Sequence, residues 1–186
     1  MSVPANCHFQ TAKAEKYWPF SEPFNFIHSR LLALGMRDWS CYFGRCFDNL
    51  TPTGWIDAQE FHFRMICDDG SAGPDSALIR WSHLVQKAVA KRGLDTALSD
   101  KLKRSLRKQG FAKDEAGKRL GGLQRQNFLV ALDGVSMPLF TKELEWTKEE
   151  VEAFLRQVRK NLDVMGKHVL VRMTVHCAQR PAETQH

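Results

Sequence analysis

The chain of 186 residues has no C-x-x-C pair, no G-x-S-x-G elbow and no phosphate loop of the G-x-x-x-x-G-K kind. Dithiol redox, serine-hydrolase and NTPase chemistry therefore have no sequence support. No stretch approaches the roughly 18 apolar residues of a membrane helix. The five cysteines (Cys7, Cys41, Cys46, Cys67 and Cys177) are an odd number without disulfide-framework spacing. The opening "MSVPANCHFQ" is neither an apolar secretory core nor an Arg-rich targeting segment. Reduced thiols in the cytoplasm or nucleus are the expectation. Cys7, His8, His62, His176 and Cys177 lack any recognised zinc-ligand spacing, so no metal is expected.

What is present is globular. Hydrophobic residues make up 43% of the chain, and the length suits one domain around one core. The net charge of +6 reads as a solvated basic surface, not a nucleic-acid footprint. The basic run "SDKLKRSLRKQGF" supports this. Its cations stand opposite Leu102 and Leu106, with no aromatic residue interleaved for base stacking.

Periodicity places the elements. "ANCHFQTA" (5–12) has the look of a short strand, and "PFNFIHS" (23–29) of a buried one. Trp39, Tyr42, Phe43, Cys46, Phe47 and Leu50 recur at helical spacing behind Asp38, a plausible cap. Pro52 and Gly54 then turn the chain into the strand "GWIDAQEFHF". Asp75 is placed to cap a helix ending at Gly93, and Gly110 ends the basic helix. Residues 113–127 read as a loop or frayed helix, and "NFLVALDGVSMPLF" as helical up to Gly134. Thr147 and Glu150 form a capping box before the stripe Val151, Phe154, Leu155, Val158 and Leu162. "VLVRMTVHCA" alternates with period two, the mark of a strand, and the tail from Arg180 is expected to fray.

Strands alternating with helices indicate an α/β sheet, in which ligands sit at the carboxyl ends of strands. The candidate site residues are therefore 11–14, 28–30 and 59–62. The organisation expected is one domain: sheet strands and turn over 1–64, mainly helix over 75–163, a last strand over 169–178.

The order "FNFIHSR…DW…CFDNLTPTGWIDAQEF…PDSALIRW…LKRSLRKQGF…LFTKELEWTKEEVEAFLRQVRKNL" resembles the fungal LaeA-like (UMTA-type) methyltransferases over residues 4 to about 181. These are class I S-adenosylmethionine-dependent enzymes tied to secondary metabolism. The resemblance implies an α/β, partial class I methyltransferase (Rossmann-like) sheet with flanking helices. The strand ending at His28 resembles the fourth of that sheet, and "NLTPTGW" resembles the turn into the fifth. His28, Ser29 and Arg30 would then lie at the methionine end of S-adenosylmethionine. His28, Glu60 and His62 become candidate catalytic residues, with His28 as a general base and the other two facing a small-molecule or protein methyl acceptor.

The departures from the family pattern are as specific. No G-x-G occurs anywhere. The first residues resemble the segment entering the third strand, so strands 1 and 2 are expected to be absent. Ala12, Lys13 and Ala14 occupy the cofactor position where the family carries an acidic pair, so a carboxylate acceptor has become a cation. The sixth strand also reads as shortened. In the family order 3-2-1-4-5-7-6 this leaves the fourth strand as an unpaired apolar edge at 24–28, open to a protein partner. A non-catalytic partner of a complete methyltransferase or of a transcription regulator is the alternative function.

Overall fold

The computed structural model describes residues 4–16, 18–94, 99–116, 124–163 and 169–183. Four strands form one sheet in the order β1-β2-β4-β3. β1 (Phe24–Arg30) runs parallel to β2 (Leu50–Cys67), which pairs antiparallel with β4 (Val169–Gln179), which in turn pairs antiparallel with β3 (Ala112–Ala116). This is the 4-5-7-6 part of the order implied by the resemblance. β3 stands where the sequence suggested a loop. Its residues "AKDEA" carry no apolar alternation, because a short charged strand at a sheet edge needs none.

Between β1 and β2, α1 (Trp39–Asp48) starts at the expected cap, with the Asp38 carboxylate accepting from the Cys41 N–H at 2.9 Å. The "NLTPTGW" turn is absorbed into the start of β2. Thr53 takes a left-handed φ of 67°, and a Cβ on Gly54 would meet the Thr51 carbonyl at 2.9 Å. Only glycine tolerates that approach. Arg180 closes the turn. Its N–H donates to the Gly54 carbonyl at 2.9 Å, and its guanidinium donates to the carbonyls of Phe47 and Leu50. The fraying expected from Arg180 onward therefore does not begin there.

α2 (Ala77–Lys91) is capped by Ser76, not by Asp75: the Ser76 hydroxyl accepts from the Ile79 N–H at 3.3 Å. Gly93 and Gly110 end α2 and α3 (Ser99–Lys108) in left-handed φ of 73° and 89°. The Leu94 and Phe111 N–H groups reach back to the Val89 and Leu106 carbonyls in Schellman closures. α4 (Gln124–Glu143) does not stop at Gly134 but continues through Pro138. The proline costs about 3 kcal/mol in a helix interior. Fully buried Leu132 and Phe140, packed before and after it, offset this. α5 (Lys148–Asp163) begins at the expected capping box, with reciprocal bonds of 2.8 and 3.2 Å between Thr147 and Glu150. No strand forms over 5–12, where among the described residues no neighbouring strand offers a ladder.

Two apolar clusters result. One lies between the sheet and helices α1 and α3, built on Phe43, Leu50, Ile56, Leu102 and Leu106. The other joins α2, α4 and α5 to the far ends of β2 and β4 through Met65, Val85, Phe140 and Leu155. β2 serves both, with a register irregularity between Phe61 and Met65 where it leaves one cluster for the other. Among the described residues no helix is long and apolar enough to cross a membrane.

Candidate functional site

The carboxyl end of β1 runs into a left-handed turn held by a buried carboxylate. Arg30 is the last residue in register with β2, opposite Gln59. Leu31 then takes a left-handed φ of 58°, its N–H donating to the Gln59 carbonyl at 3.0 Å. That conformation costs a leucine roughly 1–2 kcal/mol. It is held by Glu60, whose two oxygens accept from the N–H groups of Leu32 at 2.8 Å and Ala33 at 3.1 Å. Glu60 is only 1% exposed. Burial pushes its carboxyl above the ordinary value, and the two amides oppose that shift. Ala33 and Met36 pack into the sheet cluster while Leu34 packs against the helical one. The turn thus joins the two cores.

Behind it stand Ser29, Tyr42 and Cys46, all buried. Burial pushes the Cys46 thiol up to about 12 and the Tyr42 hydroxyl well above its usual range. Neither ionises near neutral pH, so Cys46 is a packing residue and not a nucleophile.

Strand alternation puts His28 on the opposite face of the sheet from Glu60. Its Nδ1 lies 3.0 Å from Asp57 Oδ2, and the same oxygen accepts from Gln59 Nε2 at 2.9 Å. The His28 side chain is 45% exposed and that of Asp57 16%. Asp57 lies within the strand "GWIDAQEFHF" and outside the candidate residues 59–62. The signal for the pair is the parallel register that sets His28 opposite Asp57, which spacing along the chain does not reveal.

His62 is not brought to the turn as a free imidazole. Its Nε2 is 2.7 Å from the Thr174 hydroxyl, across the β2–β4 pair. Burial lowers its pKa, with Arg172 and His176 adding to the effect, so the ring is held neutral. Arg30 is exposed at the strand end.

Ala12 and Ala14 line a cavity of about 320 Å³ beside β1, together with Trp18, Phe20, Phe24 and Phe26. Lys13 is exposed. The carboxylate of this segment, Glu15, is engaged elsewhere: it accepts from the N–H groups of Arg37 and Asp38 at the start of α1. S-adenosylmethionine needs a glycine turn at its carboxylate end and an acceptor for its ribose hydroxyls. This cavity is lined mainly by apolar side chains, with Gln10 as its polar one, and none of the described glycines follows a strand in a G-x-G turn. Residues 12–14 and 28–30 alone therefore do not fit that group.

No protein-family model matches the chain. Methyltransferase pytC of Aspergillus terreus is 31% identical over 194 residues, which take in 96% of this chain and 60% of that protein. The secondary metabolism regulator LAE1 of Cochliobolus heterostrophus is 22% identical over 200 residues, covering 97% of this chain and 65% of its own length. Among solved structures, Haemonchus contortus phosphoethanolamine N-methyltransferase 2 in complex with S-adenosyl-L-methionine gives a TM-score of 0.49 at 14% identity, covering 91% of this chain and 36% of that one. The chain is a homologue of the fungal LaeA-like methyltransferases and spans about 60% of the length of methyltransferase pytC.

Proposed function

We infer that this chain is an S-adenosylmethionine-dependent methyltransferase-family protein of fungal secondary metabolism, forming the acceptor-side wall of a methyl-transfer site. The observation that carries this reading is the left-handed turn at Leu31, held by buried Glu60 at the carboxyl end of β1. Ligands of parallel α/β sheets bind at that end, and strained backbone held by its surroundings clusters at such sites. Methyl transfer depends chiefly on holding an acceptor in line with the donor, and a rigid turn does this.

In this reading Glu60 positions the turn, and His62 positions β2 against β4. His28, oriented by Asp57, supplies a base to an acceptor, whether small molecule or protein, in the cytoplasm or nucleus. S-adenosylmethionine is the donor that the relatives' methyltransferase activity implies. Ser29 and Arg30, with Ala12, Lys13 and Ala14, border its place without completing it. That incompleteness favours a second reading: a non-catalytic partner of a complete methyltransferase or of a transcription regulator.

Disrupting the gene in its own organism and profiling metabolites separates the two. Accumulation of a product lacking one methyl group supports the catalytic reading. A fall in many metabolites at once supports the regulatory one. An unchanged profile overturns both. The isolated chain is expected to melt at the same temperature with and without excess S-adenosylmethionine. A ligand at 100 times its dissociation constant adds about 2.7 kcal/mol, so a clear rise would place a complete donor site on this chain.

A further inference from the structure

Beyond the carboxyl end of β1, β2 and β4 run on together as a two-stranded ribbon, with the pairs Met65↔Val171, Ile66↔Leu170 and Cys67↔Val169. One face of the ribbon is filled. Met65 is buried in the helical cluster, and Cys67, Val169 and Val171 pack against it. Alternation about the Met65–Val171 pair turns Arg64, Ile66, Leu170 and Arg172 to the other face. All four are exposed. Ile66 keeps 42% of its surface in solvent and Leu170 keeps 37%.

The two arginines are neighbours across the ribbon, each adjoining the Met65–Val171 pair. Like charges side by side on one sheet face destabilise it. Elsewhere Arg92 pairs with Glu143 and Arg159 with Asp133, but among the described residues no carboxylate pairs with Arg64 or Arg172. The next carboxylates, Asp68 and Asp69, lie past the end of β2, and Asp69 accepts from the Ser71 N–H. The Arg172 charge reaches into the ribbon: burial lowers the His62 pKa, and Arg172 lowers it further. A cation pair and an aliphatic pair thus share one outward face, and neither helps the sheet to fold.

We propose that this ribbon face docks an acidic segment of a partner protein, which sets a carboxylate against Arg64 and Arg172 and an apolar side chain on Ile66 and Leu170. On each strand the arginine and the aliphatic residue are two positions apart, about 7 Å. An extended segment with an acidic and an apolar residue two positions apart matches that step. Arginine suits the role, because its planar fork binds carboxylates in pairs of hydrogen bonds. Other occupants fit less well. A second copy on a two-fold axis would set arginine against arginine. A small ligand needs enclosing walls, which an outward sheet face lacks. Nucleic acid needs aromatic platforms, and none stands among these four residues. An anionic membrane is held by clusters of about four to eight cations, not two. The surface is independent of the methyl donor and acceptor.

The test is an NMR titration of the chain, without S-adenosylmethionine, with the extended peptide acetyl-TETLTET-amide, whose glutamates and leucine share one side. At low salt the peptide is expected to shift the backbone amides of Arg64–Cys67 and Val169–Arg172, and added salt to weaken it. The glutamine counterpart, TQTLTQT, is expected to bind at least tenfold more weakly. The same loss is expected when Arg64→Gln and Arg172→Gln are combined. Lys101→Gln with Arg104→Gln removes equal charge from α3 and is expected to leave binding unchanged. Without peptide, Arg172→Gln is expected to melt no lower than wild type, since it relieves the cation pair. A lower melt would make the arginine part of the fold's own packing and overturns the proposal. So does a peptide that shifts α3 instead of the ribbon, which marks general attraction to a basic chain. So does equal binding of the glutamine counterpart, and so does a titration that shifts nothing.

Discussion

The helical cluster and the sheet cluster differ in kind. In the helical cluster α2, α4 and α5 face one another, and the polar groups inside are paired locally. Trp81 Nε1 donates to Ser136 Oγ at 2.8 Å, and that hydroxyl donates to the Leu132 carbonyl at 2.6 Å. Phe140, Trp146 and Phe154 meet at ring-centroid distances of 5.5 to 6.3 Å. The sheet cluster buries Glu60, Ser29, Tyr42 and Cys46 on one side of β1 and β2 and leaves aromatic surface on the other. A core that closes on itself needs only packing. A core that holds a strained turn beside an open edge carries buried polar groups and exposed apolar surface that packing alone does not call for.

The largest expected effect is in the closed core. Phe140→Ala removes a fully buried ring and is expected to cost about 3–5 kcal/mol, read as a lower urea midpoint. A loss under about 1 kcal/mol would mean that the helical cluster collapses around the gap and is not tightly packed.

Glu60→Gln probes the other core. It keeps the shape but sets an amide N–H against one of two backbone donors, so a loss of about 1–3 kcal/mol is expected. Its pH dependence is a sharper check. Burial holds the carboxyl above its ordinary value of 4.5, so the folded chain binds that proton more tightly than the unfolded one. The stability contributed is complete below 4.5 and is lost as pH rises through the folded pKa. Wild-type stability should fall across that window more than that of Glu60→Gln. Equal slopes would show that the carboxyl titrates alike in both states.

A smaller effect is expected at the start of α5. Thr147→Ala removes the hydroxyl that accepts from the Glu150 N–H and should cost about 1 kcal/mol by thermal melt. The smallest is at the open face, where Phe26→Asp should change the isolated chain by no more than about 0.5 kcal/mol. A loss of 2 kcal/mol or more there, well beyond the roughly 0.5 expected of a surface site, would mean that this face is already part of the core.

Reading from sequence succeeded where one element carries its own signal. The stripe from Trp39 to Cys46, the capping box of Thr147 and Glu150, the glycine stops at 93 and 110 and the alternation of β4 all depend on neighbours within a few residues. It missed β3, whose only reason to be a strand is β4 beside it. It also missed the passage of α4 through Pro138, where distant packing outweighs a local breaker. The N-cap fell one residue away, because Ser76 and Asp75 are equally good caps until the backbone selects one.

The candidate site divides along the same line. The sequence by itself marked the carboxyl ends of two strands, because strand and turn signals are local, and its order of motifs carried the relationship to the methyltransferases. Only the tertiary structure decided which way those residues face. The parallel register set His28 against Asp57, alternation sent Glu60 to the opposite face, and burial there made it the clamp of Leu31 to Ala33. A strand pattern fixes the period of side chains, but which face is inside depends on what packs against it, and those contacts come from residues far along the chain.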